Sequence, residues 1–213
     1  ATCVITGAPN GIGFDFTRKL ILQGKYSTII IAARSKERGE ETIGKLWEAV
    51  GKENQAMNKT ALKALPCDLS SLKAVQELAR EIAVITSKVD LLVLNAGAIQ
   101  QSMFSKTSTV TADGIESVFM VNYVSHWYLF HLLLPLLKAA GQSRVVLTSG
   151  DIYKSVALPN GDLRPLATPG ALSCMTAMAF AHLGKVLLAQ RAHRDHAAHG
   201  LVVSALHPGA IFE

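Results

Sequence analysis

The chain has 213 residues, 49% hydrophobic and 17% charged, which is enough for one compact domain with a sizeable core and excludes a disordered or fibrous protein. Its 21 Lys and Arg against 16 Asp and Glu give a formal charge of +5, but the basic residues are interleaved with acids, so nucleic-acid binding is not indicated. The three cysteines are far apart and lack metal-ligand spacing, so we expect a cytoplasmic protein without a metal site.

Short β-branched runs alternate with longer helical patterns along the chain, which is typical of a parallel sheet connected by crossover helices. The predicted strands are Cys3 to Thr6, Thr28 to Ala33, Ala61 to Pro66, Leu91 to Asn95, Arg144 to Thr148 and Leu201 to Leu206. The predicted helices are Ile12 to Gln23, Ser35 to Val50, Leu72 to Thr86, Ala112 to Ala139 with a break near Asn122, and Leu172 to Ala198. The sequence therefore predicts an α/β fold of Rossmann type: a doubly wound parallel sheet in three αβα layers, forming a single domain over residues 1–213.

A glycine-rich turn joins the first predicted strand to the first helix. Gly7 permits a tight turn, Gly11 lets the backbone approach a pyrophosphate, and Gly13 lets the helix pack on the strand. Unpaired N–H groups at the helix N-terminus attract the same anion. The alternative is three turn glycines without a ligand. The predicted dinucleotide contacts in this turn are Gly7, Asn10, Gly11, Ile12 and Gly13.

Arg34 and Ser35 follow the second predicted strand, where dinucleotide folds contact the adenosine ribose. An acid at this position binds the ribose 2′-hydroxyl, whereas Arg34 and Ser35 offer donors to a 2′-phosphate. The pair therefore favours NADP over NAD as cofactor. The alternative is that Arg34 is simply an exposed residue at the start of a helix.

Ordered motifs over essentially the whole chain resemble the short-chain dehydrogenase/reductase family, in particular its retinol-dehydrogenase-like and WW-domain-oxidoreductase-like branch. These motifs are Thr6 to Gly13, Cys67-Asp68-Leu69, Asn95-Ala96-Gly97, Thr111 to Gly114, Val121 to Tyr123 with His126, Arg144 to Val146, and His207-Pro208-Gly209.

The resemblance implies further contacts to the cofactor beyond the glycine turn. Alternatives drawn from the residues themselves are an N-cap role for Asp68, strand-end turn chemistry for residues 95–97 and a plain turn at residues 208–209. The implied contacts are Asp68 and Leu69 at the adenine, Asn95, Ala96 and Gly97 along the dinucleotide, and Pro208, Gly209 and Ile211 at the nicotinamide.

Members of the family use a Tyr as general acid or base, a Lys four residues later that lowers its pKa, a Ser that polarises the substrate oxygen and an Asn that supports a proton relay. By resemblance the Asn is Asn122. Most relatives use the second of two serines after the fifth strand, and here that position is Gly150. Ser149 could serve only if the strand ends at Thr148, so that its side chain turns toward the cleft.

Two alignments of the last helix remain open. Without gaps, the Tyr and Lys positions of the family hold Met178 and His182. With a three-residue gap they hold Ala181 and Lys185, but such a gap rotates the downstream apolar face of the helix by about 60°. We prefer the ungapped alignment, and both predict that no Tyr stands at the proton-transfer position.

The favoured function is therefore an NADP(H)-dependent oxidoreductase acting on an apolar carbonyl, alcohol or imine compound. Its catalytic residues would be Asn122, Ser149 and His182, with an atypical proton donor: His182, Tyr153, Asp151 or water. The alternatives are that His182 is a satisfied helix histidine, and that the fold is a non-redox enzyme or a scaffold that keeps the cofactor.

The resemblance also bears on partners and on domain organisation. The helix over residues 122–139 would pack against the same helix of a second subunit, or else lie in the core of the monomer. Its most apolar stretch, 128–137, is too short to span a membrane. Related chains continue into a seventh strand and a substrate-covering segment, so we expect residues 1–213 to lack that segment.

Overall fold

A single parallel sheet organises the computed structural model, which describes residues 1–99, 109–156, 164–168 and 171–209. Within these ranges the sheet has six strands in the order β3-β2-β1-β4-β5-β6. They are β1 (Thr2–Thr6), β2 (Thr28–Ala33), β3 (Ala61–Pro66), β4 (Leu91–Leu94), β5 (Ser143–Thr148) and β6 (Leu201–Leu206). Each predicted strand is confirmed to within one residue at either end, and neighbouring strands are parallel throughout.

Helices connect the strands and cover both faces of the sheet. They are α1 (Gly11–Gln23), α2 (Lys36–Val50), α3 (Lys52–Met57), α4 (Leu72–Ile85), α5 (Ser117–Phe119), α6 (Ser125–Ala139) and α7 (Cys174–His196). A π-helical stretch, Met120–Val124, joins α5 to α6, and short 3₁₀ segments lie at Asp151–Ser155, Arg164–Ala167 and Ala197–His199. The predicted Rossmann-type α/β architecture is confirmed.

The helical region before β5 begins later than predicted. Helix was expected from Ala112, but Gly114 has φ +77° in a turn, and a bridge pairs Val110 with Glu116, so α5 begins only at Ser117. The predicted break near Asn122 is the π-helical stretch. Helix α3 was not predicted, because its six residues are too few to show a helical period.

Two apolar clusters, one on each face, hold the layers together. Alternate residues of β1 point to opposite faces, so Val4 joins one cluster and Ile5 the other. Helices α4, α6 and α7 pack on the Val4 side, and α1 and α2 on the Ile5 side. Because both faces are covered, the central strands β1 and β4 are buried along their whole length.

Helix α6 has one face in the core and one face at the surface. Leu129, Leu133 and Leu137 are fully buried in the larger cluster, which accounts for the apolar stretch of the sequence. Trp127 remains 42% exposed on the outer face, and its packing against a second subunit stays a prediction. Among the described helices, none is long and apolar enough to cross a membrane.

Candidate active site

A cavity of about 410 Å³ opens at the carboxyl ends of the strands. It lies where the strand order reverses between β1 and β4, which is where doubly wound sheets bind their ligands. The predicted cofactor residues that line it are Gly7, Asn10, Ile12, Arg34, Asp68, Leu69, Asn95, Ala96 and Gly97. The fold therefore brings together residues from four separate strand ends.

The glycine turn requires glycine at two of its positions for steric reasons. Gly7 has φ +75°, and a Cβ there would lie 2.7 Å from Cα of Ala96. A Cβ on Gly13 would lie 2.0 Å from the Gly7 carbonyl oxygen and 2.6 Å from Nδ2 of Asn95. Asn95 Nδ2 also donates to that carbonyl at 3.2 Å. These contacts fix the turn against the end of β4.

The N-terminus of α1 is available to an anion. Asn10 occupies the N-cap position, but its side chain makes no capping hydrogen bond, and the first turn of α1 contains no acid. The first N–H groups of a helix lack intrahelical partners and carry a partial positive charge. Gly11, at φ +53°, completes a cradle that fits the pyrophosphate of a dinucleotide.

Two arginines border the cavity beyond β2. Arg34 and Arg38 are both exposed and both line it, and among the described residues neither forms an ion pair. Ser35 is the N-cap of α2, and its hydroxyl accepts from the Arg38 amide at 3.3 Å instead of lining the cavity. Sequence reasoning missed Arg38, although it follows Arg34 at the i+4 spacing of a helix face.

Asp68 lies at the end of β3 and lines the same cavity. Its Oδ1 accepts from the Ser70 amide at 2.9 Å and from the Ser70 hydroxyl at 2.8 Å. The N-cap of α4 is Ser71, so the alternative role of Asp68 as that cap is wrong.

A hydrogen-bond network ties the ends of β1, β4 and β5 together beneath the cavity. The Thr6 hydroxyl accepts from the amides of Asn95 and Ala96, each at 3.1 Å, and lies 3.1 Å from Nε2 of His126. The Thr148 hydroxyl donates to Asn95 Oδ1 at 2.9 Å. Thr6, His126 and Thr148 were not predicted, because nothing local in the sequence marks their contacts.

Asn122 is buried in the π-helical stretch and holds the loop after β4. Its Oδ1 accepts from the Ala98 amide at 3.1 Å, and its Nδ2 donates to the carbonyls of Ala98 at 2.8 Å and Val118 at 2.7 Å. A Cβ on Gly97 would lie 2.8 Å from that Oδ1. Both side-chain N–H donors are therefore used within the protein, and the proton-relay role of Asn122 stays a prediction.

The predicted Ser149 and His182 meet at the end of β5. The strand ends at Thr148, as the prediction for Ser149 required. The Ser149 hydroxyl donates to the His182 carbonyl at 3.2 Å and lies 3.2 Å from Nδ1 of the same residue. A Cβ on Gly150 would contact the same imidazole at 3.5 Å. The two side chains form a pair, although neither lines the 410 Å³ cavity.

Helix α7 also places Met178 and Lys185. Met178 packs against a small cluster that contains Cys174 and Ala177. Lys185 is 2% exposed, and its Nζ donates to the Thr148 carbonyl at 2.8 Å. Burial lowers the pKa of Lys185 to about 8. Burial, followed by the charges of Lys185 and His207, lowers the pKa of His182 to about 4.

A second cavity, of about 680 Å³, lies between α7 and β6. Its lining includes Ser149 and two of the alternative proton donors, Asp151 and Tyr153. His207 lines it as well, with Nε2 3.4 Å from Asp151 Oδ1. Of the predicted nicotinamide contacts, Pro208 and Gly209 follow β6 and line neither of these two cavities, and Ile211 lies outside the described residues.

The match to a family agrees with this site. The family described as short chain dehydrogenase matches residues 1–156, which carry the glycine turn, the two arginines and the strand ends around the 410 Å³ cavity. The chain belongs to the short-chain dehydrogenase family. The predicted resemblance is thereby confirmed, and the family is one of oxidoreductases that bind a nicotinamide dinucleotide.

Curated relatives include members of the branch named above. The short-chain dehydrogenase is 33% identical to the WW domain-containing oxidoreductase of Drosophila melanogaster over 211 residues, covering 98% of this chain and 48% of that protein. It is 30% identical to retinol dehydrogenase 14 of Mus musculus over 213 residues, covering 99% of this chain and 61% of that protein. The chain thus spans about half to three-fifths of the length of these relatives.

Solved structures share the fold. An uncharacterized protein from Mycobacterium Paratuberculosis matches with a TM-score of 0.74 and 28% identity, over 98% of this chain and 68% of that one. A metagenomic short-chain oxidoreductase in complex with NADP matches with a TM-score of 0.68 and 21% identity, over 99% of this chain and 82% of that one.

The free energy of unfolding is expected to fall as the pH is lowered from 6.5 to about 4, because burial lowers the pKa of His182 over that interval. The unfolded chain binds the proton near pH 6.5, whereas the folded protein binds it only near pH 4, so the stability due to neutral His182 is lost across this window. Urea unfolding at a series of pH values measures the slope.

The variant His182→Asn should show a shallower slope, and His193→Asn, at an exposed position of the same helix, should leave it unchanged. Burial also lowers the pKa of His126, so part of the slope remains in the variant. An identical slope in His182→Asn and the wild-type protein would contradict the placement of His182.

Proposed function

We propose that this short-chain dehydrogenase is an NADP(H)-dependent oxidoreductase acting on an apolar carbonyl, alcohol or imine compound. One observation carries the proposal: a single cavity is lined by the glycine turn at one strand end and by Arg34 and Arg38 at the next. The first feature suits a pyrophosphate and the second an additional phosphate on the ribose.

The choice of NADP rests on charge. Arg34 and Arg38 present two guanidinium groups without an ion-pair partner among the described residues, and no acid stands at position 34 or 35 to accept from a ribose 2′-hydroxyl. A dianionic 2′-phosphate would be held by charge-assisted hydrogen bonds, which are about twice as strong as neutral ones.

When bound, the nicotinamide ring of the cofactor supplies or accepts the hydride. We assign the proton transfer that accompanies hydride transfer to Ser149 and His182. The Ser149 hydroxyl at the end of β5 lies beside the His182 imidazole on α7. His182 is neutral at pH 7, since burial lowers its pKa to about 4, so Nδ1 or Nε2 can accept a proton. A neutral imidazole is a weak acid, so the iminium form of an imine suits this site, because hydride addition to an iminium ion gives the neutral amine without a further proton.

Arg34→Ala is expected to weaken the binding of NADPH by roughly tenfold to a hundredfold, the loss of one or two charge-assisted contacts, and to change NADH binding by less than about twofold. Arg38→Ala should act in the same direction. Isothermal titration calorimetry with both dinucleotides measures the effect. Arg80→Ala, at an exposed position of α4, is the matched control. An equal loss for NADPH and NADH would show that Arg34 does not contact the 2′-phosphate.

The oxidoreductase activity is tested by the absorbance of NADPH in the presence of a panel of aldehydes, ketones and cyclic imines. We expect oxidation with at least one apolar member, and lower activity in Arg34→Ala at subsaturating NADPH. Tight binding of NADPH without oxidation by any member would overturn the redox assignment while leaving the cofactor assignment intact.

A further inference from the structure

Lys185 is a buried ammonium without a carboxylate partner. Its side chain is 2% exposed, and the hydrogen bond from Nζ goes to a neutral group, the Thr148 carbonyl. Among the described residues no Asp or Glu forms an ion pair with it, and burial is the cause of its lowered pKa. A buried charge without a partner lowers the stability of the folded protein, so a functional reason for keeping Lys185 is worth seeking.

The groups around Lys185 do not offset its charge. Burial lowers the pKa values of His126 on α6 and His182 on α7, and electrostatic repulsion from the Lys185 ammonium lowers them further. Both histidines are therefore neutral at pH 7. Lys185, with a pKa of about 8, remains mostly protonated at that pH, so it is the charged member of the three.

Lys185 lies next to one end of the 410 Å³ cavity, through its hydrogen bond to Thr148. Thr148, whose carbonyl binds Lys185, lines the cavity at the end of β5, and its hydroxyl donates to Asn95. Arg34 lies at the other end, after β2, three strands away in the sheet. At the usual spacing of parallel strands this separation is about 14 Å. A dinucleotide with its adenosine at Arg34 and its pyrophosphate at the glycine turn would extend its nicotinamide toward β5, because the cavity continues in that direction to Thr148.

We propose that Lys185 makes the cavity select the reduced dinucleotide over the oxidised one. The inference rests on the proposed function. The oxidised nicotinamide ring carries a positive charge and the reduced ring is neutral, so a buried ammonium on the β5 side repels the first and not the second. The adenosine and pyrophosphate are the same in both forms, and their contacts do not discriminate. The protein is thereby loaded with reduced cofactor when both forms are present.

The test compares the dissociation constants of NADPH and NADP⁺ at pH 7, measured by calorimetry in the absence of substrate. The wild-type protein should bind NADPH more tightly. Lys185→Met, which keeps the length of the side chain and removes its charge, should bind NADP⁺ more tightly than the wild type does. The ratio of the two constants should change by roughly tenfold, the effect of one unit charge at about 10 Å in a medium of effective dielectric near 20.

Three further variants make the result specific. Lys185→Gln should behave as Lys185→Met does, whereas Lys185→Arg, which keeps the charge, should retain the preference. Lys88→Met makes the same chemical change at an exposed lysine before the amino end of β4, at the end of the sheet opposite the cavity, and should leave the ratio unchanged. An unchanged ratio in both neutral variants would overturn the inference alone. Failure of the wild type to bind either dinucleotide would overturn the proposed function and this inference together.

Discussion

Gly13→Ala is expected to weaken dinucleotide binding strongly and to destabilise the protein. The added Cβ would lie 2.0 Å from the Gly7 carbonyl oxygen, which belongs to the backbone and cannot move aside by changing rotamer. Relief requires α1 to shift away from the turn, at a cost of about 3 kcal/mol in stability. If the displaced glycine turn costs a similar free energy in binding, the affinity for NADPH falls by roughly a hundredfold. Calorimetric titration and urea unfolding measure the two effects.

Gly44→Ala is the matched control for this substitution. Gly44 lies inside α2, and a Cβ there would meet nothing within 4 Å. This variant should be more stable than the wild type by about 0.5 to 1 kcal/mol, because alanine is the better helix former, and should bind NADPH normally. Wild-type affinity in Gly13→Ala would show that α1 and the turn are not held as closely as the structure has them.

Asn122→Leu is expected to cost about 3 kcal/mol in the free energy of unfolding, because it leaves one buried and two half-buried backbone groups without their side-chain partner. The amide and carbonyl of Ala98 and the carbonyl of Val118 all lose their side-chain partner. The leucine has similar volume, so the effect reports lost hydrogen bonds and not a cavity. Urea unfolding measures it.

Two further variants separate the contributions of Asn122. Asn122→Asp keeps the acceptor for the Ala98 amide but turns a carboxylate oxygen toward two carbonyls, so it should be at least as unstable as the leucine variant. Asn54→Leu removes one hydrogen bond at an exposed position, and should change stability by about 0.5 kcal/mol or less. If Asn122→Leu were as mild as this control, the side chain would not be what holds the loop after β4.

The strands and the glycine turn could be predicted from the sequence because their causes are local. A strand buried on both faces must be a short apolar run, and β1 and β2 read as such in the sequence. Gly7, Gly11 and Gly13 stand in a spacing that is typical of a tight strand-to-helix turn. Arg34 follows β2 directly, so its place at the cavity follows from the same topology.

The helical boundaries before β5 were less predictable, because tertiary contacts decide them. The turn at Gly114 and the bridge between Val110 and Glu116 delay the start of α5. The π-helical stretch accommodates Asn122, whose side chain binds Ala98, 24 residues earlier. Periodicity in a short window carries no information about such a partner.

By itself the sequence determined the fold class, the family resemblance and the position of the glycine turn, since each rests on local patterns of residues along the chain. Only the tertiary structure decided which side chains share the site: Arg38 beside Arg34, Thr148 against Asn95, Ser149 against His182, and Lys185 against Thr148. The physical reason is burial. A lysine on a helix looks like a surface residue in the sequence, and its charge acquires a consequence only when folding removes it from water without a carboxylate.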